Sequence, residues 1–596
     1  MDKSKTHKQV TVEWNGINWR KAERYVFKLQ KRIYRASSRG DVKAVRRLQK
    51  TMMRSWYAKC LAVRRVTQDN QGKKTAGVDG QKSYTPSQRL KLVENLELSR
   101  KASPLRRVWI PKPGTSEKRG LGIPTLYDRA LQALVKQTLE PEWEAKFEPN
   151  NYGFRPGRSC HDAIEAIFKA IRYKAKYVLD ADIAKCFDRI NHEALLEKLN
   201  TFPTIRRQIR AWLKAGVMDD MVHHKTSEGT PQGGVISPLL ANIALHGLEK
   251  RINQVFPKLE KHQRETWFHK KGESFNTPSI IRYADDFVIM HENLAIVQKC
   301  QQITAEWLKG MGLELKPSKT RISHTLKKHE GKTGFDFLGF NIRQYPVAEE
   351  YLAKDTRGKI LGFKTLIKSS KEAIKRHVEK LGKIINAHKS APQQVLIGNL
   401  NPTIRGWANY HSTQVNKKTF SRIDHIVYQQ LLAWAKYTHP GTPVKEIVDK
   451  CWQTVGNDRW IFGVKQGGKI TCTLHKHAKT KIVRHTKVAG NKSPFDGDLV
   501  YWSSRMAKHP ECPKELARLL REQKGKCPWC GLHFRNDDKI EVDHRIAKRY
   551  GGKDSKDNRQ ALHKHCHDKK TASDELIYQK QLAYEELVRD LDDNPF

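Results

Sequence analysis

Two groups of aspartates lie beside apolar runs that are typical of strands. Tyr283–Asp286 has the sequence YADD and lies between SIIR and FVIM, so Asp285 and Asp286 fall in the tight turn of a predicted hairpin. In YVLDADIAKCFD, period-two alternation directs Asp180 and Asp182 to the same face of another strand. Carboxylates on rigid strands can hold two divalent metal ions, as phosphoryl transfer from a nucleoside triphosphate requires. If the strands pack side by side, Asp182 and Asp285 can share both ions.

A second candidate site lies near the end of the chain, where cysteines and histidines cluster. The segment KCPWC supplies Cys527 and Cys530, and HKHC supplies His563 and Cys566 about 33 residues later. Four soft ligands at this spacing predict a tetrahedral Zn²⁺ site. His565 is a less well spaced alternative for the fourth ligand.

A chain of 596 residues is too long for one hydrophobic core, so several modules must position these groups. Helix formers with basic residues dominate the N-terminus, and short strand-like runs alternate with helical stretches in the largest module. We predict a multidomain α+β protein whose modules span residues 1–75, 76–350, 351–455, 456–505 and 506–596. Within residues 456–505, the stretch 464–492 is basic with little helical periodicity, which predicts a linker or a small extended nucleic-acid-binding segment.

The charge balance predicts a polyanionic partner. The chain carries 112 Lys+Arg against 63 Asp+Glu, a formal net charge of +49, which nucleic acid would neutralise. Hydrophobic residues make up 38% of the chain, and this fraction argues against a disordered tail protein. No run approaches the length of a membrane span, so we expect no membrane partner and a cytoplasmic location.

Several long motifs occur in an order that resembles reverse transcriptases of the group II intron type, over most of residues 1–450. They are RVWIPKPGTSEKRGLGIPTLYDRALQ, YGFRPGRS, DIAKCFD, GTPQGGVISPLLANIAL, YADD, GLELKPSKT and FDFLGF. The resemblance implies a right-hand polymerase, with an N-terminal helical extension in residues 1–75 and fingers and palm in residues 76–350. The motif LNPTIRGWANYHS resembles the maturase-specific thumb, called domain X, and places it in residues 351–455.

The same resemblance implies roles for single residues of the polymerase. Asp182, Asp285 and Asp286 would hold two Mg²⁺ ions, while Asp180 and Asp188 would be structural. The bulky Phe187 would clash with a ribonucleotide 2′-hydroxyl and so favour deoxynucleotides. The residues expected to contact the incoming dNTP are Lys112, Arg119, Phe187, Gln232 with Gly233, and Lys319. For Lys319 the alternatives are a phosphate contact and a proton donor.

In the thumb motif, Arg405, Trp407 and Tyr410 combine a cation with rings that can stack on unpaired bases, which suits RNA binding. The alternative is that Trp407 and Tyr410 are core residues, and we favour this slightly over direct contact with bases.

The C-terminal motif KIEVDHRIAKRYGGKDSKDNRQALHKHCHDKKT resembles HNH endonucleases with a zinc knuckle, and implies a ββα domain in residues 506–596. His544 would be the general base that activates water, and Asn558 would orient it. Asp543 and His567 would hold one Mg²⁺ at the scissile phosphate. Members of this family commonly have Cys at the position of His563, so the fourth zinc ligand departs from the pattern.

Together these features predict an intron-encoded protein that binds its intron RNA, assists splicing, nicks target DNA and copies the RNA by target-primed reverse transcription. The expected partners are intron RNA, target DNA, contacted by residues 456–505, and dNTPs, with one protein for each RNA and a dimer as the alternative. The expected location is the bacterial cytoplasm near the nucleoid, with an organelle as the alternative. Two rival functions are a reverse transcriptase recruited to a host role and a maturase that only binds RNA.

Overall fold

The computed structural model of the chain describes residues 13–111, 117–219, 222–257, 277–348, 353–355, 358, 360–535 and 538–593. It has a mixed α/β architecture in which helices surround several small sheets. The described helices include none that is long and apolar enough to cross a membrane.

The first helices form an amphipathic bundle. Asn18, Asp41 and Ser55 cap them, because each side chain accepts a hydrogen bond from a backbone N–H in the first turn. Their apolar faces pack on a long buried helix, whereas the basic faces remain at the surface. The helices up to this point are α1 (Trp19–Ser38), α2 (Val42–Arg54), α3 (Trp56–Arg64), α4 (Pro86–Asn95) and α5 (Leu126–Glu144).

A central antiparallel sheet carries the aspartates, in the strand order β6-β7-β3-β8. Both of its faces are buried: Phe287 and Ile289 point into one hydrophobic cluster, and Val288 and Met290 point into another. This alternation is the period-two pattern of a strand that is covered on both sides. The strands are β3 (Tyr177–Ala181), β6 (Ser279–Tyr283), β7 (Asp286–His291) and β8 (Arg321–His324).

Helices cover the central sheet and connect its strands. A second sheet combines two strands that precede β3 in the chain with two strands that lie between β3 and β6. That second sheet has the order β2-β1-β4-β5 and contains β1 (Leu105–Pro111), β2 (Lys118–Ile123), β4 (Val217–Asp219) and β5 (Val222–His224). The helices are α6 (Cys160–Ile171), α7 (Cys186–Arg189), α8 (His192–Leu199), α9 (Pro203–Leu213), α10 (Ser237–Ala244), α11 (Leu248–Val255) and α12 (Leu294–Lys309).

A predominantly helical region follows a small antiparallel sheet of β9 (Phe335–Phe337), β10 (Phe340–Pro346) and β11 (Phe363–Ser369). Leu381 and Ile385 are buried, and Ile374 and Val378 pack against them, as helical periodicity requires. The helices are α13 (Lys371–Ala387), α14 (Gln393–His411), α15 (Lys417–Thr438) and α16 (Val444–Cys451).

The basic segment after these helices is partly folded. It contains an antiparallel sheet of β12 (Trp452–Val455), β13 (Asp458–Gln466) and β14 (Lys469–Thr473), although we predicted a linker or an extended segment. The chain then runs along α6 before α17 (Leu499–Met506). The last module consists of α18 (Lys514–Glu522), β15 (Ile540–His544), β16 (Arg559–His563) and α19 (Lys564–Asp593).

Histidine rings are buried in the helical region and where it meets the β9–β11 sheet. His411 contacts the rings of Phe340, Trp407 and Tyr410, and the ring of His377 stacks on Trp407 at 4.5 Å. Burial lowers the pKa of His411 to about 3, and burial together with His477 lowers the pKa of His377 to about 3. Both rings are therefore neutral in the folded protein at neutral pH.

Replacement of His411 by phenylalanine should make folding less sensitive to acid. Below a pH of about 6.5 the unfolded chain binds a proton at this position that the folded chain does not bind, so stability is lost as the pH falls. We expect the pH dependence of the unfolding free energy to weaken in His411→Phe by up to about 1.4 kcal/mol per pH unit. Denaturant titrations at several pH values between 7.5 and 5 measure this, and equal slopes for the two proteins would contradict it.

Candidate active sites and metal centre

The central sheet brings the predicted aspartates to one end. Tyr283 pairs with Asp286 across the hairpin, so Ala284 and Asp285 form its turn, and Ala284 has a φ of 58°. Ala181, the last residue of β3, pairs with Phe287 of β7, so Asp182 follows directly beside the hairpin. The arrangement of strands is the one that the sequence predicted.

The negative charges of Asp182, Asp285 and Asp286 repel one another. Burial and the negative charges of Asp285 and Asp182 raise the pKa of Asp286 to about 7. Burial also raises the pKa of Asp285, although the positive charges of Arg119 and Lys319 act in the opposite direction. The site therefore favours a bound cation, which fits the hard oxygen donors that Mg²⁺ prefers.

Basic side chains lie close to the acidic group. Lys319 Nζ donates to Asp182 Oδ2 over 2.7 Å, and this hydrogen bond raises the pKa of Lys319. Arg321 Nε lies 3.5 Å from Asp180 Oδ2. Burial raises the pKa of Asp180 to about 6, although the positive charge of Arg321 acts in the opposite direction. Lys319 is thus in the site, whereas Lys112, the other lysine predicted to contact the dNTP, lies outside the described residues.

Phe187 lies in the short helix α7, and Gln232 lies on a loop that contacts this helix. Gln232 Nε2 donates to Asp188 Oδ1 over 3.3 Å, and Thr230 N donates to the carbonyl of Phe187. Phe187 is half-buried and packs edge-on against Phe154, with 6.1 Å between the ring centroids. Gly233 has a φ of +117°, and a Cβ there would lie 2.7 Å from the carbonyl oxygen of Gly122. A residue with a side chain would therefore be strained and would clash with this backbone. These contacts hold both predicted residues in place.

The predicted zinc ligands converge in the last module. Cys527, Cys530, His563 and Cys566 are all buried, and one ligand atom from each lies within 4.8 Å of all the others. His563 also has its Nε2 3.3 Å from Asp538 Oδ2, the kind of outer contact that orients a ligating imidazole. Three sulfurs and a nitrogen at this spacing fit Zn²⁺. His565 is outside this group, because its Nδ1 lies 3.6 Å from Glu23 of α1.

The predicted nuclease residues surround the β15–β16 hairpin. His567 Nε2 lies 3.7 Å from Asp543 Oδ1, and its Nδ1 lies 3.0 Å from Glu541 Oε2. Glu541, His567 and Asp568 form a second group whose ligand atoms lie within 4.8 Å of one another. We did not predict Glu541, but the signal was available, since Glu541 and Asp543 alternate onto the same face of β15.

His544 and Asn558 are near each other but have different partners. His544 Nε2 lies 3.2 Å from Asp554 Oδ1, in a loop that no spacing rule singled out. The side chain of Asn558 forms hydrogen bonds with the backbone of Ile546 and Lys553. Asn558 would therefore orient His544 indirectly, by holding the loop that carries Asp554.

The aromatic residues of the predicted RNA-binding motif pack inside the protein. Trp407 stacks on His377, and Tyr410 stacks on Phe340 and donates to the carbonyl of Leu338. These contacts match the alternative that both rings are core residues. Arg405 is exposed on α14 and remains a candidate contact.

Comparisons with known proteins identify the domains in which these residues lie. Four family profiles match, and their descriptions are N-terminal domain of reverse transcriptase (residues 14–96), reverse transcriptase (RNA-dependent DNA polymerase) (110–342), group II intron, maturase-specific domain (374–452), and HNH endonuclease (527–573).

Similar curated proteins include the group II intron-encoded protein LtrA of Lactococcus lactis, which is 31% identical over an alignment of 327 residues that covers 46% of this chain and 53% of LtrA. Protein YkfC of Escherichia coli is 32% identical over an alignment of 309 residues that covers 47% of this chain and 78% of YkfC. An uncharacterized 91 kDa protein in the cob intron of Schizosaccharomyces pombe is 27% identical over 54% of this chain and 45% of its own length. The chain thus spans about half the length of LtrA, at 53%. On the matched motifs, profiles and relatives, the chain belongs to the family of group II intron-encoded reverse transcriptase/maturase proteins and carries an HNH endonuclease domain.

Proposed function

We propose that the chain is an RNA-directed DNA polymerase and DNA endonuclease that assists splicing of its intron RNA and copies that RNA from a nicked DNA target. The observation that carries the proposal is the position of Asp285 and Asp286 on a hairpin tip beside Asp182. The maturase-specific and HNH profiles support the splicing and nicking activities. They also favour an intron-encoded element over a recruited reverse transcriptase.

In this proposal the central sheet is the palm, the β1–β2 hairpin belongs to the fingers, and α13 to α15 are the thumb. Asp182, Asp285 and Asp286 hold two Mg²⁺ ions, which when bound would lower the pKa of the primer 3′-hydroxyl and neutralise the triphosphate. Lys319 and Arg119 add positive charge where the triphosphate lies. Lys319, which donates to Asp182 Oδ2, would be available to a phosphate oxygen of the bound triphosphate.

Phe187 and Gln232 select and position the deoxynucleotide. The ring of Phe187 is held edge-on by Phe154, so a ribose 2′-hydroxyl would meet a side chain that cannot move away easily. Gln232 is anchored through Asp188, and the close approach of Gly233 to Gly122 keeps its loop beside β2. Sugar discrimination then arises from steric exclusion.

In the nuclease, His544 removes a proton from water, and Asp554 holds its ring in place. Asp543 and His567 hold one Mg²⁺, with Glu541 close enough to join them. The bound ion would stabilise negative charge on the scissile phosphate. Zn²⁺ bound by Cys527, Cys530, His563 and Cys566 has a structural role, because all these donors are buried.

Intron RNA and target DNA bind to exposed basic surfaces. Arg405 contributes on α14, and Trp460 and Lys469 are exposed on the β12–β14 sheet, where they suit a nucleic acid backbone and its bases. We propose one protein for each intron RNA, or a dimer, in the bacterial cytoplasm near the nucleoid or in an organelle.

Replacement of Asp285 by alanine should abolish polymerisation. The variant removes a metal ligand, so cDNA synthesis from an RNA template and DNA primer with Mg²⁺ should fall by at least about a thousandfold. Nicking of target DNA by the same preparation is the control and should remain. Undiminished cDNA synthesis would show that the polymerase assignment is wrong.

Replacement of His544 by alanine should abolish nicking and leave cDNA synthesis unchanged. We expect strand nicking to fall by at least about a hundredfold, because the general base is lost, while cDNA synthesis on a supplied primer stays at the original rate. Sequencing gels of labelled target DNA measure the first activity and primer extension measures the second. Continued nicking would exclude His544 as the base.

Zinc analysis of two matched variants should identify the fourth ligand. His563→Ala should lower the zinc content of the purified protein, since it removes a donor from the buried quartet. His565→Ala changes the same kind of residue two positions away and should keep the metal. Atomic absorption gives the stoichiometry, and the reverse pattern would make His565 the ligand.

A further inference from the structure

Residues 484–505, which we call the strap, lie against α6 and the central sheet. Val488 and Trp502 of the strap are buried in the same hydrophobic cluster as Val178, Ile281 and Val288 of the central sheet. The strap therefore supplies part of the core on one face of this sheet, although it follows the maturase-specific domain in the chain.

A buried carboxylate on α6 joins the strap to the sheet. Asp162 is fully buried, and its Oδ1 accepts hydrogen bonds from His485 Nε2 at 3.2 Å, Val488 N at 2.8 Å and Arg505 Nη2 at 2.5 Å. Its Oδ2 accepts from Ser159 N at 2.9 Å. Burial opposes ionisation, but the hydrogen bond from His485 and the charge of Arg505 hold the pKa of Asp162 well below its usual range. The ion thus depends on partners from both ends of the strap.

Other cations of the strap are also engaged in protein contacts. Arg484 forms an ion pair with Glu165 at 3.1 Å and lies 4.0 Å from the ring centroid of Phe168. Lys492 is 2.7 Å from Asp498. These contacts favour a structural role over the DNA-binding role that the basic composition predicted.

The strap also contacts a residue next to Gly153, which packs against the Ala284–Asp285 turn. Lys487 Nζ lies 3.3 Å from the hydroxyl of Tyr152, and Tyr152 N donates to the carbonyl of Arg282 over 2.9 Å. At Gly153, a Cβ would lie 2.2 Å from Ala284 N, so this backbone is in direct contact with the turn. A short series of contacts therefore leads from the strap to Asp285.

We propose that the strap is a brace that positions the metal-binding turn of the polymerase, with Lys487 and Arg505 as positioning residues. The proposal rests on the polymerase function proposed above. Loss of the brace lets the turn move, so the carboxylates bind Mg²⁺ less well. Partial unfolding alone would lower the yield of active protein without changing the Mg²⁺ concentration needed for half-maximal activity.

The test compares Arg505→Ala and Lys487→Met with the unchanged chain, all at full length, by titrating Mg²⁺ in primer extension and by measuring Mg²⁺ binding calorimetrically without template or dNTP. We expect the half-maximal Mg²⁺ concentration to rise about tenfold in Arg505→Ala, as for other residues that orient metal ligands, and several-fold in Lys487→Met. Arg505→Lys should restore part of the loss. Arg518→Ala is the matched control, because Arg518 pairs with Glu522 inside the nuclease module, and its midpoint should not change.

The outcomes separate this proposal from the polymerase assignment. If the unchanged chain makes no cDNA, the polymerase function itself is wrong. If it makes cDNA and Arg505→Ala has the same Mg²⁺ midpoint, the brace is wrong. If Arg505→Ala does not fold, Lys487→Met decides, because it removes one hydrogen bond from a half-buried side chain and leaves the Asp162 ion pair intact, and an unchanged midpoint there also overturns the proposal.

Discussion

Negative charges that repel one another must be held together at the end of the central sheet, and much of the architecture serves this constraint. Asp182 and the Asp285–Asp286 pair lie on adjacent strands that are buried on both faces, so the carboxylates cannot separate by bending the sheet. Lys319 and Arg321 lower the repulsion from the side of β8. The same burial that makes the strands rigid raises the pKa of Asp286 to about 7, and this makes the site dependent on cations.

Features with a local signal could be predicted from the sequence. The YADD hairpin follows from apolar runs on either side of a tight turn, and the buried quartet around Cys527 follows from ligand spacing. The hairpin is set within a few residues of its aspartates, and the quartet by two short ligand pairs, Cys527 with Cys530 and His563 with Cys566. The family profiles and relatives confirm the predicted family, including the maturase-specific and HNH domains. The individual site roles and the domain boundaries stay predictions.

Features that depend on distant partners could not be predicted. Residues 484–505 resemble a free basic segment in composition, and only the position of Asp162, more than 300 residues earlier in the chain, shows why His485 and Arg505 turn toward the protein. From the sequence, Trp407 and Tyr410 could stack on RNA bases or pack in a core. The structure shows that His377 stacks on Trp407 and that Phe340 stacks on Tyr410. Periodicity and spacing do not specify which remote side chain will neutralise a charge or cover a ring.

The Asp162 contacts also bear on how such chains can exchange parts by recombination. Removing a partner from a buried ion pair typically costs about 3–5 kcal/mol, a large share of the stability of most domains. A crossover between β14 and the strap would leave Asp162 facing a foreign segment, whereas a crossover after Arg505 would keep its partners together. Lineages that gain, lose or replace the nuclease should therefore inherit residues 484–505 with the polymerase.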